Sequence, residues 1–203
     1  MNKYIYLRPT NSIKILKNKL SLSNRAYLIW NKVRAKGINN TITVEGSGKL
    51  RHCNISIKGK NNAITIKNGA NISHSKLEIV GNDCNITIGE NTDIGGAYLS
   101  SKGNNTTLSI GSGCMLSRNI NVMTYDGHPV YDNNTKEQIN PPQSIIIKNN
   151  VWIAANASIL KGVIVESDSI IGFGSIVTND VSANSIFAGI PAKKIKENIY
   201  WEH

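Results

Sequence analysis

Aromatic side chains are scarce in this chain, 6% of its 203 residues, with only two phenylalanines and three tryptophans. Its interior must therefore be filled mainly by small and branched aliphatics. Cysteine is scarce as well. Cys53, Cys84 and Cys114 are odd in number and lack metal-ligand spacing. That argues against a disulfide framework or a structural zinc site, and for reduced thiols in the core or turns of a cytoplasmic protein. No apolar run approaches the ~20 residues that span a bilayer. The opening MNKYIYLRPT has too short an apolar stretch for a signal peptide, so export is not expected.

Acidic residues are missing from one region altogether. Residues 1–36 hold nine Lys or Arg and no Asp or Glu, whereas the remainder of the chain is close to neutral. The net charge of +10 thus belongs to the N-terminal segment. Within it, Ile13, Leu16, Leu20, Tyr27, Trp30 and Val33 roughly keep a helical rhythm, with Lys and Arg between them. The expectation is a basic α-helical segment over 1–36 that caps one open end of the fold. Its charged face would be merely solvated, or would also meet anionic lipid or a polyanionic substrate. No nucleic-acid partner is expected.

What the chain has in abundance is repetition. Four blocks of 22 residues begin at Gly37, Gly59, Gly81 and Gly103. Their sixth column reads Ile42, Ile64, Ile86, Leu108, and their eighth Val44, Ile66, Ile88, Ile110. The fourteenth is Leu50, Ile72, Ile94, Leu116. After an interruption at 125–143 the period shortens to six, with Ile147, Ile153, Ile159, Val165, Ile171 and Val177 in one column. Small or β-branched residues stand four positions after each. A six-residue unit is a short strand plus a turn, and three units close a triangular coil that stacks on the next at about 4.8 Å. The 22-residue blocks fit the same coil with four residues inserted at the Gly–Asn corner. The expected fold is an all-β solenoid, a parallel β-helix over 37–190 followed by a tail at 191–203. Periodicity alone leaves its hand open.

The interruption at 125–143 is too long and polar for a turn, and such loops in repeat proteins usually carry function. It contains Asp126-Gly127-His128, and then Asp132. His128 is the candidate catalytic base, because imidazole titrates near neutrality and can take a proton from a hydroxyl. Asp126 or Asp132 would fix its tautomer, and a backbone carbonyl would serve equally. His52 and His74 share one repeat column and should stack at the surface, while His203 ends the chain.

The run from Ile147 to Lys196, with NNVWIAANASILKGV, IIGFGSIVTNDV and SIFAGIPAKKIK, resembles the hexapeptide-repeat acyltransferases. Asp126 and His128, followed by Trp152 24 residues after the histidine, are similar to bacterial capsule O-acetyltransferases, including those acting on polysialic acid. The resemblance implies a left-handed coil, acetyl-CoA as acyl donor with no metal, and a homotrimer with active sites between subunits. It also implies a coenzyme site at Trp152, Ala155, Phe173, Thr178, Asn179, Lys193 and Lys196, the two lysines suiting its phosphates. The pattern departs from the family's at Ile147-Lys148, Ile153-Ala154 and Phe173, of which only the last would alter the coenzyme groove. The expected activity is O-acetylation of an anionic capsular polysaccharide, in the cytoplasm or at the inner membrane. Acetylation of a small molecule and a purely structural or binding solenoid are the competing readings; a γ-type carbonic anhydrase lacks correctly spaced histidines.

Overall fold

The structure, a computed structural model, describes residues 11–203. The chain winds into a three-sided parallel solenoid. One face is a seven-stranded sheet of Lys19–Leu22, Thr41–Val44, Ala63–Ile66, Asn85–Ile88, Thr107–Ile110, Ile145–Ile147 and Ile164–Val165. A second face runs from Tyr27–Ile29 through Lys49–Arg51, Asn71–Ser73, Trp152–Ile153 and Ile170–Ile171 to Ser185–Gly189. The third runs from Ser12–Lys14 through Lys32–Ile38, Asn54–Lys60 and Lys76–Asn82 to Ser158–Ile159 and Ile176–Val177. Asp93–Asn104 and Met115–Met123 turn the corner from the second face to the third as continuous strands.

The repeat columns become the core because in-register parallel strands put like on like. Ile42, Ile64, Ile86 and Leu108 stack one above another, all buried. The six-residue column from Ile147 to Val177 is buried throughout, as are Val151, Ala157, Val163, Ser169, Ser175 and Val181. Each buried Ile or Leu contributes roughly 1.5–3 kcal/mol. The four extra residues per early coil lengthen the third face into seven-residue strands that end in a left-handed turn, with Asn39, Asn61, Asp83 and Asn105 all at positive φ. Gly59 and Gly81 precede two of these turns, where the coils approach so closely that a Cβ on Gly81 would lie 1.5 Å from the Gly103 carbonyl oxygen.

The N-terminal capping helix expected from the sequence is not there. Residues 11–36 are strands of the same solenoid, and no change of structure falls at residue 36, since one strand spans Lys32–Ile38. The physical reason is the open edge of the coil that follows. Lys19, Tyr27 and Lys32 donate their N–H groups to the carbonyls of Asn40, Gly48 and Cys53, so the edge is paired rather than covered. The supposed helical stripe does not pack as one: Leu16 is 88% exposed, and the buried apolar residues are Ala26, Leu28, Val33 and Ala35. Residues 1–10 of the predicted segment lie outside the described residues.

At the other end, Ser185–Gly189 pairs antiparallel with Ala192–Glu197, and this hairpin closes the stack. Cys53, Cys84 and Cys114 are free and buried. Among the described residues, no helix is long and apolar enough to cross a membrane.

Candidate active site

The loop leaves the third face after Thr124 and returns to the first at Ser144, whose hydroxyl accepts the Thr107 N–H at 2.9 Å. Inside it, Asn140 is the organiser. Its amide nitrogen donates to the His128 carbonyl at 2.9 Å and to the Asp126 carboxylate at 3.1 Å, while its side-chain oxygen accepts the Val130 N–H. Asp126 is also paired with Lys161 from the coil beneath. The Lys161 bond, working against slight burial and aided by Asn140, holds the Asp126 carboxyl below the usual carboxylate range. Asp132 accepts the N–H groups of Asn134 and Thr135 and so shapes a local turn.

The imidazole of His128 makes no hydrogen bond among the described residues; both carboxylates named from the sequence are engaged elsewhere. Its exposed ring borders a cavity of about 270 Å³ with Lys102, Tyr125, Asp126, Gln138 and Asn140. The Lys102 ammonium stands 4.5 Å from the centre of the Tyr125 ring and 3.0 Å from Glu78. Glu78 in turn accepts the Tyr98 hydroxyl at 2.6 Å and pairs with Lys76 at 3.0 Å. Burial opposes charge on Glu78, yet Tyr98, Lys76 and Lys102 together hold its carboxyl down at about 2. Burial and the bond to Glu78 push the Tyr98 phenol up to about 12.

The residues assigned to the coenzyme lie elsewhere on the prism. Trp152 is on the second face, 37% exposed, aligned with Met115 above and Ile170 below. The Trp201 ring lies 6.1 Å from it and is anchored by its N–H to the Asn150 carbonyl at 2.8 Å. Ala155 and Phe173 share the corner between the second and third faces, one coil apart; Phe173 is 70% exposed, and the Gly174 N–H bonds the Ala155 carbonyl. Thr178 and Asn179 sit one coil below Lys161, at the corner that carries the His128 loop. Lys193 and Lys196 are exposed on the closing hairpin. None of these seven residues borders the His128 cavity.

Sequence reasoning missed Lys102, Tyr125, Asn140, Lys161 and Trp201. A signal existed for Lys161: the strands flanking the loop are offset by 37 residues, which sets it beneath Thr124. Nothing comparable marked Trp201.

Comparison with known proteins fixes the family. Residues 144–179 match the model described as bacterial transferase hexapeptide (six repeats). The structure superposes on that of the polySia-specific acetyltransferase NeuO with a TM-score of 0.87 and 34% identity, covering 97% of this chain and 90% of that one. This chain is a hexapeptide-repeat acyltransferase. The polysialic acid O-acetyltransferase OatWY matches equally closely, with a TM-score of 0.89 and 28% identity over 95% of this chain and 91% of that one. Coils of opposite hand would not superpose this way, so the solenoid winds in the same sense as these two. Among curated relatives of this acyltransferase, polysialic acid O-acetyltransferase of Escherichia coli O1:K1 / APEC is 41% identical over 88 residues, 43% of this chain. Galactoside O-acetyltransferase of Escherichia coli (strain K12) is 40% identical over 75 residues, 37% of this chain. The matched stretches span only 29% and 37% of those two proteins.

Proposed function

We propose that this acyltransferase moves the acetyl group of acetyl-CoA to a hydroxyl of an anionic capsular polysaccharide of the polysialic acid type. The observation that carries the reading is the unpartnered imidazole of His128, set beside Lys102 and Tyr125 at the end of a basic face. Lys14, Lys32, Arg34, Lys36, Lys58, Lys76 and Lys102 all stand on the outward side of the third face, which leads to that cavity. Alternate residues of each strand point outward and the strands stack in register, so these cations share one side of the face, with Glu78 between Lys76 and Lys102. Expression in the cytoplasm, at the inner membrane face, would put the enzyme where such polymers are made.

In this mechanism neutral His128 accepts the proton of the acceptor hydroxyl as its oxygen attacks the thioester carbonyl. The tetrahedral intermediate collapses, the carbon–sulfur bond breaks, and the leaving thiolate takes the proton back from the imidazolium. Asp126 serves this step through the loop: with Lys161 and Asn140 it holds the backbone that carries His128. Trp152, Ala155, Phe173, Thr178, Asn179, Lys193 and Lys196 would hold the coenzyme. Transfer is direct, because the cysteines are unsuited to forming an acyl-enzyme; burial pushes the Cys114 thiol up to about 11.

The proposed site residues occupy different corners of the prism, and one copy does not gather them. A homotrimer, with the loop of one subunit closing on the coenzyme groove of the next, would do so. The test is acetyl-CoA turnover with a panel of oligosialic acids, neutral polysaccharides and simple sugars. Acetylated oligosialic acid is the expected product; efficient turnover confined to galactosides or other simple sugars would instead support a small-molecule acetyltransferase.

A further inference from the structure

Along the corner between the second and third faces, successive coils place Trp30, His52 and His74 at the same turn position, all with φ near +50°. Such backbone is rare for a tryptophan. Their rings form a ladder: Trp30 and His52 lie 4.7 Å apart, and His52 and His74 stack at 4.9 Å with planes 8° from parallel. The next rung belongs to Gly96, which has no side chain, and the corner resumes one coil later at Arg118 and Asn119. Where the rung is missing there is a cavity of about 530 Å³, bordered by His74, Lys76, Gly95, Gly96, Tyr98, Arg118, Asn119 and Asn121 among others. A Cβ built on Gly96 would make only ordinary contact, 3.7 Å from the Arg118 backbone, so no neighbouring side chain has moved into the missing rung.

We propose that this vacant rung is a binding subsite for one acidic sugar unit of the acceptor, which completes the aromatic stack. The inference rests on the acceptor class proposed above. His74 has one face covered by His52 and the other turned toward the gap, and an apolar sugar face fits such a ring. Arg118, which makes no ion pair among the described residues, flanks the gap and suits a sugar carboxylate, while Lys76 on the other side is held by Glu78. Asn119 and Asn121 supply amides for hydroxyl or acetamido groups. The same corner continues downward through Asn156, which bonds Asn119 at 3.0 Å, to Ala155 and Phe173, where the pantetheine arm is proposed to lie. The coenzyme's nucleotide end is assigned still farther down the stack, so the gap lies beyond its acetyl end, on the acceptor's side.

His74→Asn removes the stacking face and keeps the turn, since Asn119 and Asn156 adopt the same positive φ at this corner. Arg118→Gln removes the charge alone. Oligosialic acid of defined length would be titrated into wild type and each variant without coenzyme, and acetylation kinetics and mass by light scattering recorded on the same samples. Both variants should bind about tenfold more weakly and show a matching rise in acceptor KM, with kcat and the acetyl-CoA KM within about twofold of wild type. Wild-type affinity in both variants, with wild type itself acetylating the polymer, would overturn the subsite and leave the proposed function standing. Neither binding nor acetylation by wild type would overturn the acceptor class and the subsite together. A smaller mass in the variants than in wild type would make this corner a contact between copies and overturn the subsite.

Discussion

Lys161 reaches the Asp126 carboxylate at 2.5 Å, tying the loop that carries His128 to the coil beneath it. Asn140 fastens the same carboxylate to the His128 carbonyl, so three side chains set where the imidazole stands. Partly exposed ion pairs are worth up to about 1 kcal/mol. Lys161→Met should therefore lower kcat by roughly two- to fivefold and leave the acetyl-CoA KM unchanged. The depressed Asp126 pKa gives the pair a direction in pH. It persists at and above the ordinary carboxylate range and is lost below it, so wild type should approach the variant's kcat as the solution is acidified. Steady-state kinetics across pH check both expectations.

Glu78 contributes stability in the same sense. Its carboxyl is held at about 2 in the folded protein against about 4.3 unfolded, so its contribution is complete above the unfolded value and is lost as pH falls from there toward 2. Glu78→Gln should lower the thermal midpoint at neutral pH and flatten the decline between those limits. Melting curves of both proteins at several pH values test it, and the gap between them should narrow on acidification.

The close approach of coils at Gly81 gives a sharper test of the fold. Its φ of +153° and the Gly103 carbonyl leave no room for a methyl group. Gly81→Ala should destabilise more than Ile86→Ala, which creates a core cavity at a cost of about 2–5 kcal/mol. Denaturant unfolding of the two variants ranks them.

The core was legible before the structure because parallel in-register stacking converts period into contact: a residue 22 or 18 positions on is the residue above. The N-terminal coil was misread for lack of a conspicuous Gly–Asn opening. Yet Asn18, Leu20, Leu22 and Leu28 stand in the columns of Asn40, Ile42, Val44 and Leu50, and Asn40 donates its amide to the Asn18 side-chain oxygen at 2.8 Å. A helical stripe and a 22-residue coil place apolar residues similarly over so short a stretch, and only the open edge decides between them. The stacking of His52 on His74 was readable from their shared column. Of the partners of Asp126, Lys161 follows from the 37-residue offset across the loop, whereas Asn140 does not, because it lies within the irregular loop where no repeat column announces a contact.

If the site is completed between copies, two inactive variants should rescue one another. His128→Ala removes the base and keeps the coenzyme groove; Trp152→Ala does the reverse. Co-expressed and purified as mixed oligomers, they should recover a substantial fraction of activity, since some interfaces would join an intact loop to an intact groove. Activity no greater than that of the separate variants would place the site within a single chain.

His128 as the base for acetyl transfer to an acidic polymer has a direct test. The most direct measurement follows acetyl from labelled acetyl-CoA into oligosialic acid, comparing wild type with His128→Ala at saturating coenzyme and binding of the coenzyme to both. Wild type should build acetyl esters on the oligomer, while the variant binds the coenzyme normally and loses about a hundredfold or more in kcat. Transfer by His128→Ala at the wild-type rate would remove His128 from the reaction.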